Sequence, residues 1–406
     1  MEKSILILSS HYYPETCAGA KRATAFAEFL ASKGWRVTVI TLLPNYPFNA
    51  IYEGYNFKTP YESYEKDVKV IRLKPLLVPR DNFFLRILAE FVFAIKVFFS
   101  GYTQKANFLL VTTPFMLLAP SAFVLAKLKR MAFVWDVRDI TWLYLRFMGR
   151  RTYGLAVFFD WIMKKVGLNA DLLISPVQGI VQYFEKVNPK SLLVPNGVSK
   201  DFLEKTRSLV NEYKIVDRPI ILYAGLFGYM QGLSTLIEAA AKLPEYDFLL
   251  IGDGPEKEFL VKKAKGVKNV TFSPYVTKEE LLEFYKRSTV CVSLLTSGGI
   301  SKIAEPSKVW EYMATGRPVV YCGESSMAKL FVERDLAVVC EPGQLDAFVF
   351  AIRELINSPE RAKEIGRKGR EFVERERVRE TILENFEKEL LEILSKRARN
   401  GRLKLG

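Results

Sequence analysis

Short apolar runs alternate along the chain with longer segments in which apolar residues recur every three or four positions. The short runs are typical of buried strands, and the longer segments are typical of amphipathic helices. In the first half the pattern predicts helices at residues 22–32 and 117–129. The predicted strands of this half are residues 5–8, 35–41, 68–73, 108–112, 133–136, 172–175 and 192–195. Strand, helix and strand over residues 5–41 form a β-α-β unit, which implies a parallel sheet.

The second half repeats this alternation. Its predicted strands are residues 219–224, 248–252, 270–272, 289–294 and 318–321. The predicted helices are residues 232–241, 256–264, 278–286 and 309–315. We therefore expect an α/β protein made of two doubly wound, Rossmann-like domains, whose strand ends face a common crevice.

The linker between the domains is expected within residues 196–218. Beyond residue 358 the chain is highly charged and helical, with an apolar stripe at Val378, Ile382, Phe386 and Leu390. Such a stripe has to be buried, and we expect it to cross back to the first domain. The predicted domains are residues 1–198, joined by a C-terminal helix at about 376–406, and residues 199–375.

One segment has nearly the length of a membrane-spanning helix. Residues 108–126 carry no charged side chain. Pro114 and Pro120 interrupt this segment, so we predict a strand, a turn and a helix instead.

Residues 83–100 form a second apolar segment. Arg86, Glu90, Lys96 and Ser100 fall within about a third of its helical wheel. Two interpretations stay open, a helix half sunk in its own domain and an interfacial helix on anionic lipid. In the second, three basic residues would lie near the headgroups: Arg80, Lys96 and Lys105.

The composition of the 406 residues is that of a globular protein, with 49% hydrophobic and 26% charged residues. The net charge is +14, and residues 1–195 carry +11 of it, from 25 basic and 14 acidic side chains. This excess favours an anionic partner such as a phosphate-bearing substrate or a membrane surface. Four cysteines without regular spacing and a single histidine argue against a zinc site and fit a reducing compartment.

Polar clusters follow several predicted strands. In the first half, residues 9–15 include His11, and Gly19 with Ala20 opens the next helix, where backbone amides can approach an anion. Residues 135–139 place two carboxylates around Arg138, either to orient hydroxyl groups and support a base or as a self-satisfied salt-bridge cluster.

The strongest cluster is residues 305–318, which begin with a helix-start signal at Pro306 and Ser307. Amides at that helix end together with Lys308 would form a cationic cradle for a phosphate. Glu311, one turn further, is placed to accept hydrogen bonds from ribose hydroxyls. Three glycines at 225, 228 and 232 permit close approach of the backbone to a pyrophosphate.

As an ordered set, these segments resemble the retaining glycosyltransferases of family 4, which have the GT-B fold. In the first half the matching residues are HYYPE at 11–15, PNYP at 44–47, VRD at 137–139 and VPNGV at 194–198. In the second half they are YAG at 223–225, QGL at 231–233, IGDGP at 251–255, PSK at 306–308 and EYMATGRPVV at 311–320. The resemblance is greatest to the branch that builds surface polysaccharides or lipid-linked oligosaccharides.

The resemblance implies a nucleotide-sugar donor, UDP- or GDP-linked, in the second domain and a glycan or polyprenyl-linked acceptor in the first. The donor-binding residues that it implies are Lys308, Glu311, Ser307, Gly225, Gly228, Gln231, Gly232, Tyr275 and Val276. Gly19, Ala20 and Arg138 would form an acceptor or phosphate loop. The candidate catalytic residues are Glu305, Asp139 and His11.

This sequence departs from the family pattern at three places. Ile303 occupies the first of two expected glutamate positions, and no histidine lies near Thr113, so the acid/base group stays open. Phe227 and Gln231 stand near positions where relatives have arginine and lysine, which gives Lys308 more weight.

We therefore expect a hexosyl-type glycosyltransferase that retains anomeric configuration and uses neither a metal nor another cofactor, because the sequence has no Asp-x-Asp pair. Its expected location is cytoplasmic, at the inner face of the cell membrane, with no nucleic-acid partner. Two alternatives stay open. One is a sugar-nucleotide epimerase of the same fold, and the other is a non-catalytic basic protein that binds lipid or nucleic acid.

Overall fold

The computed structural model describes residues 2–47, 49–79, 82–113, 115–146, 150–214 and 216–400. The chain divides into two compact units. The N-terminal unit contains Met1–Pro195 and Leu383–Gly406, and the C-terminal unit is Asn196–Ile382. Each unit is built around its own sheet.

The N-terminal unit holds an eight-stranded sheet in which seven strands run parallel and β3 pairs antiparallel at one edge. The strands are β1 (Ser4–Ser9), β2 (Arg36–Leu42), β3 (Tyr61–Glu65), β4 (Val68–Leu73), β5 (Phe108–Thr113), β6 (Ala132–Val137), β7 (Leu172–Ser175) and β8 (Ser191–Leu193). Their order is β3-β4-β2-β1-β5-β6-β7-β8. The central strands β1, β5 and β6 are buried along their whole length, as expected for a parallel sheet covered on both faces.

Helices cover the N-terminal sheet. They are α1 (Ala18–Ser32), α2 (Phe83–Tyr102), α3 (Leu118–Leu128), α4 (Arg150–Leu168) and α5 (Gln178–Glu185). The last helix of the chain, α15 (Arg379–Arg399), contributes its residues from Leu383 onward to this unit. There the ring of Phe386 packs 5.0 Å from that of Phe26 on α1, and the Trp35 indole donates to Glu387 over 2.8 Å.

The C-terminal unit holds a six-stranded parallel sheet of order β11-β10-β9-β12-β13-β14. The strands are β9 (Ile220–Ala224), β10 (Asp247–Ile251), β11 (Val270–Ser273), β12 (Val290–Leu294), β13 (Val319–Cys322) and β14 (Val338–Cys340). The helices are α6 (Lys200–Lys205), α7 (Arg207–Asn211), α8 (Leu233–Lys242), α9 (Lys257–Lys263), α10 (Lys278–Arg287), α11 (Lys308–Ala314), α12 (Ser326–Arg334), α13 (Leu345–Asn357) and α14 (Pro359–Glu376).

The predicted α/β alternation is confirmed, but some elements were not predicted. Among the described residues these are the strands β3 and β14 and the helices α4 to α7, α12 and α13. The prediction lacks β3 because that edge strand is largely exposed and has no apolar face, and it lacks β14 because that strand has only three residues. The charged tail forms two helices, α14 and α15, separated at Arg377 and Val378. Within the described residues, no helix combines the length and apolar content needed to cross a bilayer, and the uncharged segment around Pro120 is divided between β5 and α3.

Candidate functional site

The strand order of the C-terminal unit creates a topological switch point between β9 and β12. From β9 the chain continues outward through β10 and β11, and then returns to the other side of β9 to form β12. Ligands of open parallel sheets bind at the carboxyl ends of strands at such a point. The loops that follow β9 and β12 meet here, where the Thr296 amide donates to the carbonyl of Met230 over 3.0 Å.

Lys308 occupies this switch point. Its Nζ atom lies 2.5 Å from the Tyr223 hydroxyl oxygen and 2.7 Å from Oε1 of Gln231. The ammonium group also lies 4.0 Å from the centroid of the Tyr223 ring, within the range of a cation–π contact. Gly225 follows β9 directly, and a Cβ atom at that position would stand only 2.9 Å from Lys308 Nζ. The predicted donor residues Gly225, Gln231 and Lys308 are therefore brought together.

Desolvation lowers the pKa of Lys308 to about 7, and the nearby Glu311 carboxylate opposes this shift. An ammonium group that has lost much of its contact with water and has neutral partners is costly to keep charged. The same group becomes fully charged when an anion approaches, because the anion replaces the lost solvation. The site is therefore suited to an anionic ligand.

Helix α11, which begins at Lys308, is hydrogen-bonded to the C-terminal sheet. The Tyr312 hydroxyl donates to the Ala224 carbonyl over 3.0 Å and accepts from the Ala224 amide over 2.9 Å. One turn away, the Tyr285 hydroxyl donates to Glu311 over 3.5 Å. The Tyr312 contacts join α11 to the end of β9, and the Glu311 contact joins it to α10. Glu311 lies on the same helix as Lys308, one turn further along, as the sequence predicts.

Backbone hydrogen bonds hold the glycine-bearing loops together. The Gly225 amide donates to the Ile251 carbonyl, and the Phe227 amide donates to the Asp253 carbonyl, each over 2.8 Å. A Cβ atom at Gly252 would lie 1.9 Å from the Gly225 carbonyl oxygen, so only glycine permits this approach. The loop after β10 thus supports the loop that contacts Lys308.

The remaining predicted donor residues lie around this loop pair. Gly228 accepts from the Gln231 amide over 2.9 Å within a turn, and Gly232 begins α8 with a φ of +57°. Tyr275 is exposed and its hydroxyl donates to the Asp253 carbonyl over 3.3 Å, while Val276 is half-buried beside it.

Ser307 and Glu305 have different surroundings. Ser307 precedes α11 but its hydroxyl makes no capping bond, and two amides of the first turn already donate to the Pro306 and Ser307 carbonyls. The anion cradle therefore depends on the Lys308 side chain more than the sequence predicts. Glu305 accepts a hydrogen bond from the Ser326 hydroxyl over 2.7 Å.

The N-terminal unit has its own switch point, between β1 and β5. His11 follows β1, and its Nδ1 atom lies 2.6 Å from Oε2 of the buried Glu15. The other Glu15 oxygen accepts from the amides of Asn45 and Tyr46 over 2.7 and 2.8 Å. His11 is thus oriented by a carboxylate that also fixes the loop after β2.

A cavity of about 390 Å³ opens beside His11. Its walls are mainly apolar, and its polar lining includes His11, Asn45, Arg86 and Glu90. Burial raises the pKa of Glu90 to about 7, although the carboxylate accepts from the Met116 amide over 3.0 Å. Glu90 was not predicted as a site residue, although it is the single acidic residue in the sequence of the predicted helix at 83–100.

The cluster at residues 135–139 divides into two parts. Asp136 is fully buried and is bound by the Arg22 guanidinium at 2.8 and 2.9 Å and by the Thr112 hydroxyl at 2.8 Å. Asp136 therefore belongs to a self-satisfied salt-bridge cluster, one of the two predicted alternatives, and its partner is Arg22. Asp139 accepts from the Ile140 amide over 2.8 Å.

The Arg138 side chain extends to the start of α1. A Cβ atom at Gly19 would lie 2.3 Å from its guanidinium, so the absence of a side chain at Gly19 makes room for Arg138. Burial lowers the pKa of Arg138, an effect that Asp136 and Cys17 oppose. The structure thus brings Gly19 and Arg138 together, and the neighbouring Ala20 is buried in the core.

One group of described residues has the composition of a metal site. Ligand atoms of His11, Glu15 and Cys17 all lie within 4.8 Å of one another. Both Glu15 oxygens already take part in protein hydrogen bonds. Metal binding by these three residues would compete with those hydrogen bonds. Metal independence stays a prediction from the sequence.

Comparison with known proteins gives these sites a context. Residues 204–372 match the family model described as "Glycosyl transferases group 1". The chain is 28% identical over 410 residues to the Escherichia coli (strain K12) glycosyl transferase WcaI, named for colanic acid biosynthesis, covering 94% of this chain and 98% of WcaI. It is also 23% identical over 233 residues to the sulfoquinovosyl transferase SQD2 of Arabidopsis thaliana, covering 50% and 44% of the two chains.

Solved structures share the architecture. Sucrose-phosphate synthase from Thermosynechococcus elongatus superposes with a TM-score of 0.73 at 20% identity, covering 97% of this chain and all of that one. Anabaena Alr3699/HepE, solved with UDP and glucose, gives 0.68 at 15% identity, covering 95% and 98%. The chain therefore has the GT-B fold of two Rossmann-like domains, and residues 204–372 carry the sequence pattern of the group 1 glycosyl transferases.

Proposed function

We propose that the chain is a retaining, metal-independent glycosyltransferase that moves a hexosyl group from a UDP- or GDP-linked sugar to a glycan or lipid-linked acceptor. The observation that carries this proposal is the close contact between the Lys308 ammonium and Gly225 at the switch point of the C-terminal sheet. Both residues lie in the segment that matches the family model. WcaI, named for colanic acid biosynthesis, supports an acceptor in surface polysaccharide assembly.

Lys308 would neutralise the diphosphate that leaves. As the bond between the anomeric carbon and the phosphate oxygen breaks, negative charge develops on that oxygen, and a preorganised ammonium stabilises it. Tyr223 and Gln231 hold the lysine in place before the donor arrives. Glu311 would accept hydrogen bonds from the ribose hydroxyls, Tyr275 and Val276 would contact the base, and Glu305 would lie near the transferred sugar.

The acceptor would bind in the N-terminal unit, at the cavity that His11, Arg86 and Glu90 line. Its hydroxyl oxygen forms the new bond to the anomeric carbon on the face that the diphosphate leaves, and its proton passes to the departing phosphate oxygen. Attack on this face retains the anomeric configuration. His11, oriented by Glu15, and Asp139 are the candidates to position the hydroxyl.

The epimerase and non-catalytic alternatives have less support. An epimerase needs additional acid/base groups beside the leaving group, and the sequence contains a single histidine, which lies in the N-terminal unit. A non-catalytic basic protein gives no reason for a half-buried lysine beside a glycine loop.

The test is a panel of UDP- and GDP-sugars incubated with the purified chain, with and without a polyprenyl-diphosphate-linked sugar as acceptor. We expect release of one nucleoside diphosphate, stimulated by the acceptor and unaffected by EDTA. NMR of the product should show the anomeric configuration of the donor. Inversion of that configuration would refute retention, and conversion of the nucleotide sugar without an acceptor would favour the epimerase.

A further inference from the structure

Helix α2 turns its apolar side toward solvent. At about 100° per residue, six large apolar side chains fall within about 80° of its circumference. All of them are exposed: Phe84, Leu88, Phe91, Ile95, Phe99 and Tyr102. A helix that packs on its own domain in water presents the opposite arrangement.

The acidic residue of the same helix is turned inward. Glu90 lies on the buried side with Phe93 and Val97 and accepts a hydrogen bond from the Met116 amide. Arg86 lines the same cavity as Glu90. The large apolar side chains of α2 face outward while its acidic residue faces inward. Bulk water alone is therefore an unfavourable neighbour for the outer side of this helix.

Two neighbouring helices extend this apolar surface. Helix α3 contacts both α2 and α4. Its outer side exposes Val124 and Leu128, and α4 exposes Phe158 and Trp161. We call the exposed apolar side chains of α2, α3 and α4 the outer surface. Contiguous apolar patches of this kind mark interaction sites.

The exposed charged side chains described on α2, α3 and α4 are all positively charged. The sequences of these helices contain two acidic residues, Glu90 and Asp160, and both are buried. Among the basic residues, Lys127 on α3 and Lys165 on α4 lie on the same helix sides as the exposed apolar residues. This pattern complements an anionic surface.

A groove between α2 and α3 adds a feature suited to lipid. It has a volume of about 220 Å³ and is lined mainly by Phe91, Ile95, Phe98, Phe99 and Leu117. An acyl-chain segment fits such a lining because it presents no polar group that needs a partner.

We propose that the outer surface docks on an anionic lipid bilayer, with the aromatic side chains at the level of the headgroups and acyl chains and the lysines on phosphate. A second copy of this chain is a poorer occupant, because a symmetric contact would bring the same basic residues together. This inference does not depend on the proposed transfer reaction.

The test is flotation of the 406-residue chain with vesicles of pure phosphatidylcholine and with vesicles that also contain phosphatidylglycerol, an anionic lipid that gives the surface a negative potential. We expect binding to the anionic vesicles at least about tenfold stronger, because basic side chains add to apolar insertion. The substitutions Phe91→Gln and Phe99→Gln together should lower that binding about tenfold or more. The control is Phe350→Gln on α13, since Phe350 is 68% exposed and Phe99 is 67% exposed.

Circular dichroism melting and nucleotide-sugar binding serve as readouts that the double variant should leave unchanged. Equal and negligible binding to both vesicles would overturn the proposal. So would a dimer, detected by light scattering, that the same two substitutions dissociate. Vesicle binding that persists in a chain without transferase activity would overturn only the proposed function.

Discussion

The Nζ atom of Lys308 lies 2.5 Å from the hydroxyl oxygen of Tyr223, a side chain that rises from the centre of the C-terminal sheet. The ammonium therefore rests on neutral partners, and the acidic side chain of Glu311 lies on the next helical turn. A lysine held in this way is prepared for a negatively charged ligand, and this relationship underlies the donor-site predictions.

Donor affinity should depend on pH through Lys308. Desolvation lowers its pKa to about 7 in the empty site, and a bound diphosphate favours the charged form and raises that pKa. Binding above pH 7 then takes up a proton, so affinity for a nucleoside diphosphate should fall by up to about tenfold per pH unit. Calorimetry between pH 6 and 9 in two buffers of different ionisation enthalpy measures this uptake. A flat profile would contradict the assigned role of the ammonium.

Gly225→Ala should weaken donor binding without unfolding the chain. The new Cβ atom would stand 2.9 Å from Lys308 Nζ and displace it. We expect about a tenfold loss of affinity, the order of one charge-assisted contact. Gly266→Ala is the matched control, because Gly266 also has a positive φ, of +91°, but has open space around it. Equal affinities in the two variants would show that the contact with Lys308 is unimportant.

Asp136→Ala should destabilise the fold by about 3–5 kcal/mol, because it leaves the Arg22 guanidinium buried without its partner. The measurement is the free energy of unfolding in urea. Asp201→Ala, which breaks the exposed ion pair with Lys205, should cost less than about 1 kcal/mol. A small effect at Asp136 would return that residue to the list of functional candidates.

Glu90 should make stability decrease with pH. Burial raises its pKa from 4.5 to about 7, so the folded chain keeps a proton that the unfolded chain releases. The stabilisation is complete below pH 4.5 and is lost as pH rises through 7, a change of about 3 kcal/mol. Glu90→Gln should remove this dependence and be more stable than the wild type at pH 8. The exposed Glu333→Gln is the control, and parallel curves for all three proteins would refute the assignment.

The limits of a strand could be predicted from the sequence where its own residues show a clear apolar pattern. β7 has the predicted limits because Leu172–Ser175 begins with a short run of apolar residues, as is typical of buried parallel strands. β4 also has the predicted limits, although Lys69 and Arg72 interrupt its apolar residues. The edge strand β3 was missed because Tyr61–Glu65 has no such run.

The contacts of the site depend on distant parts of the chain. Lys308 was predicted from its motif, but its partners Tyr223 and Gln231 lie 85 and 77 residues away, so sequence spacing does not reveal them. Likewise, Asp136 pairs with Arg22 across 114 residues, although Arg138 is only two residues away in the sequence. The donor, acceptor and catalytic roles of these residues, and the domain boundary at residue 198, stay predictions.

The most direct test of the central claim is the affinity of the Lys308→Ala variant for UDP- and GDP-sugars, measured by calorimetry at pH 6.5. We predict dissociation constants about 10–100-fold higher than those of the wild type, as expected for loss of about 1.5–3 kcal/mol from one charged contact. Lys329→Ala, which removes an exposed lysine of α12, should bind as the wild type does. Unchanged affinity in Lys308→Ala would contradict the claim that this ammonium holds the donor diphosphate.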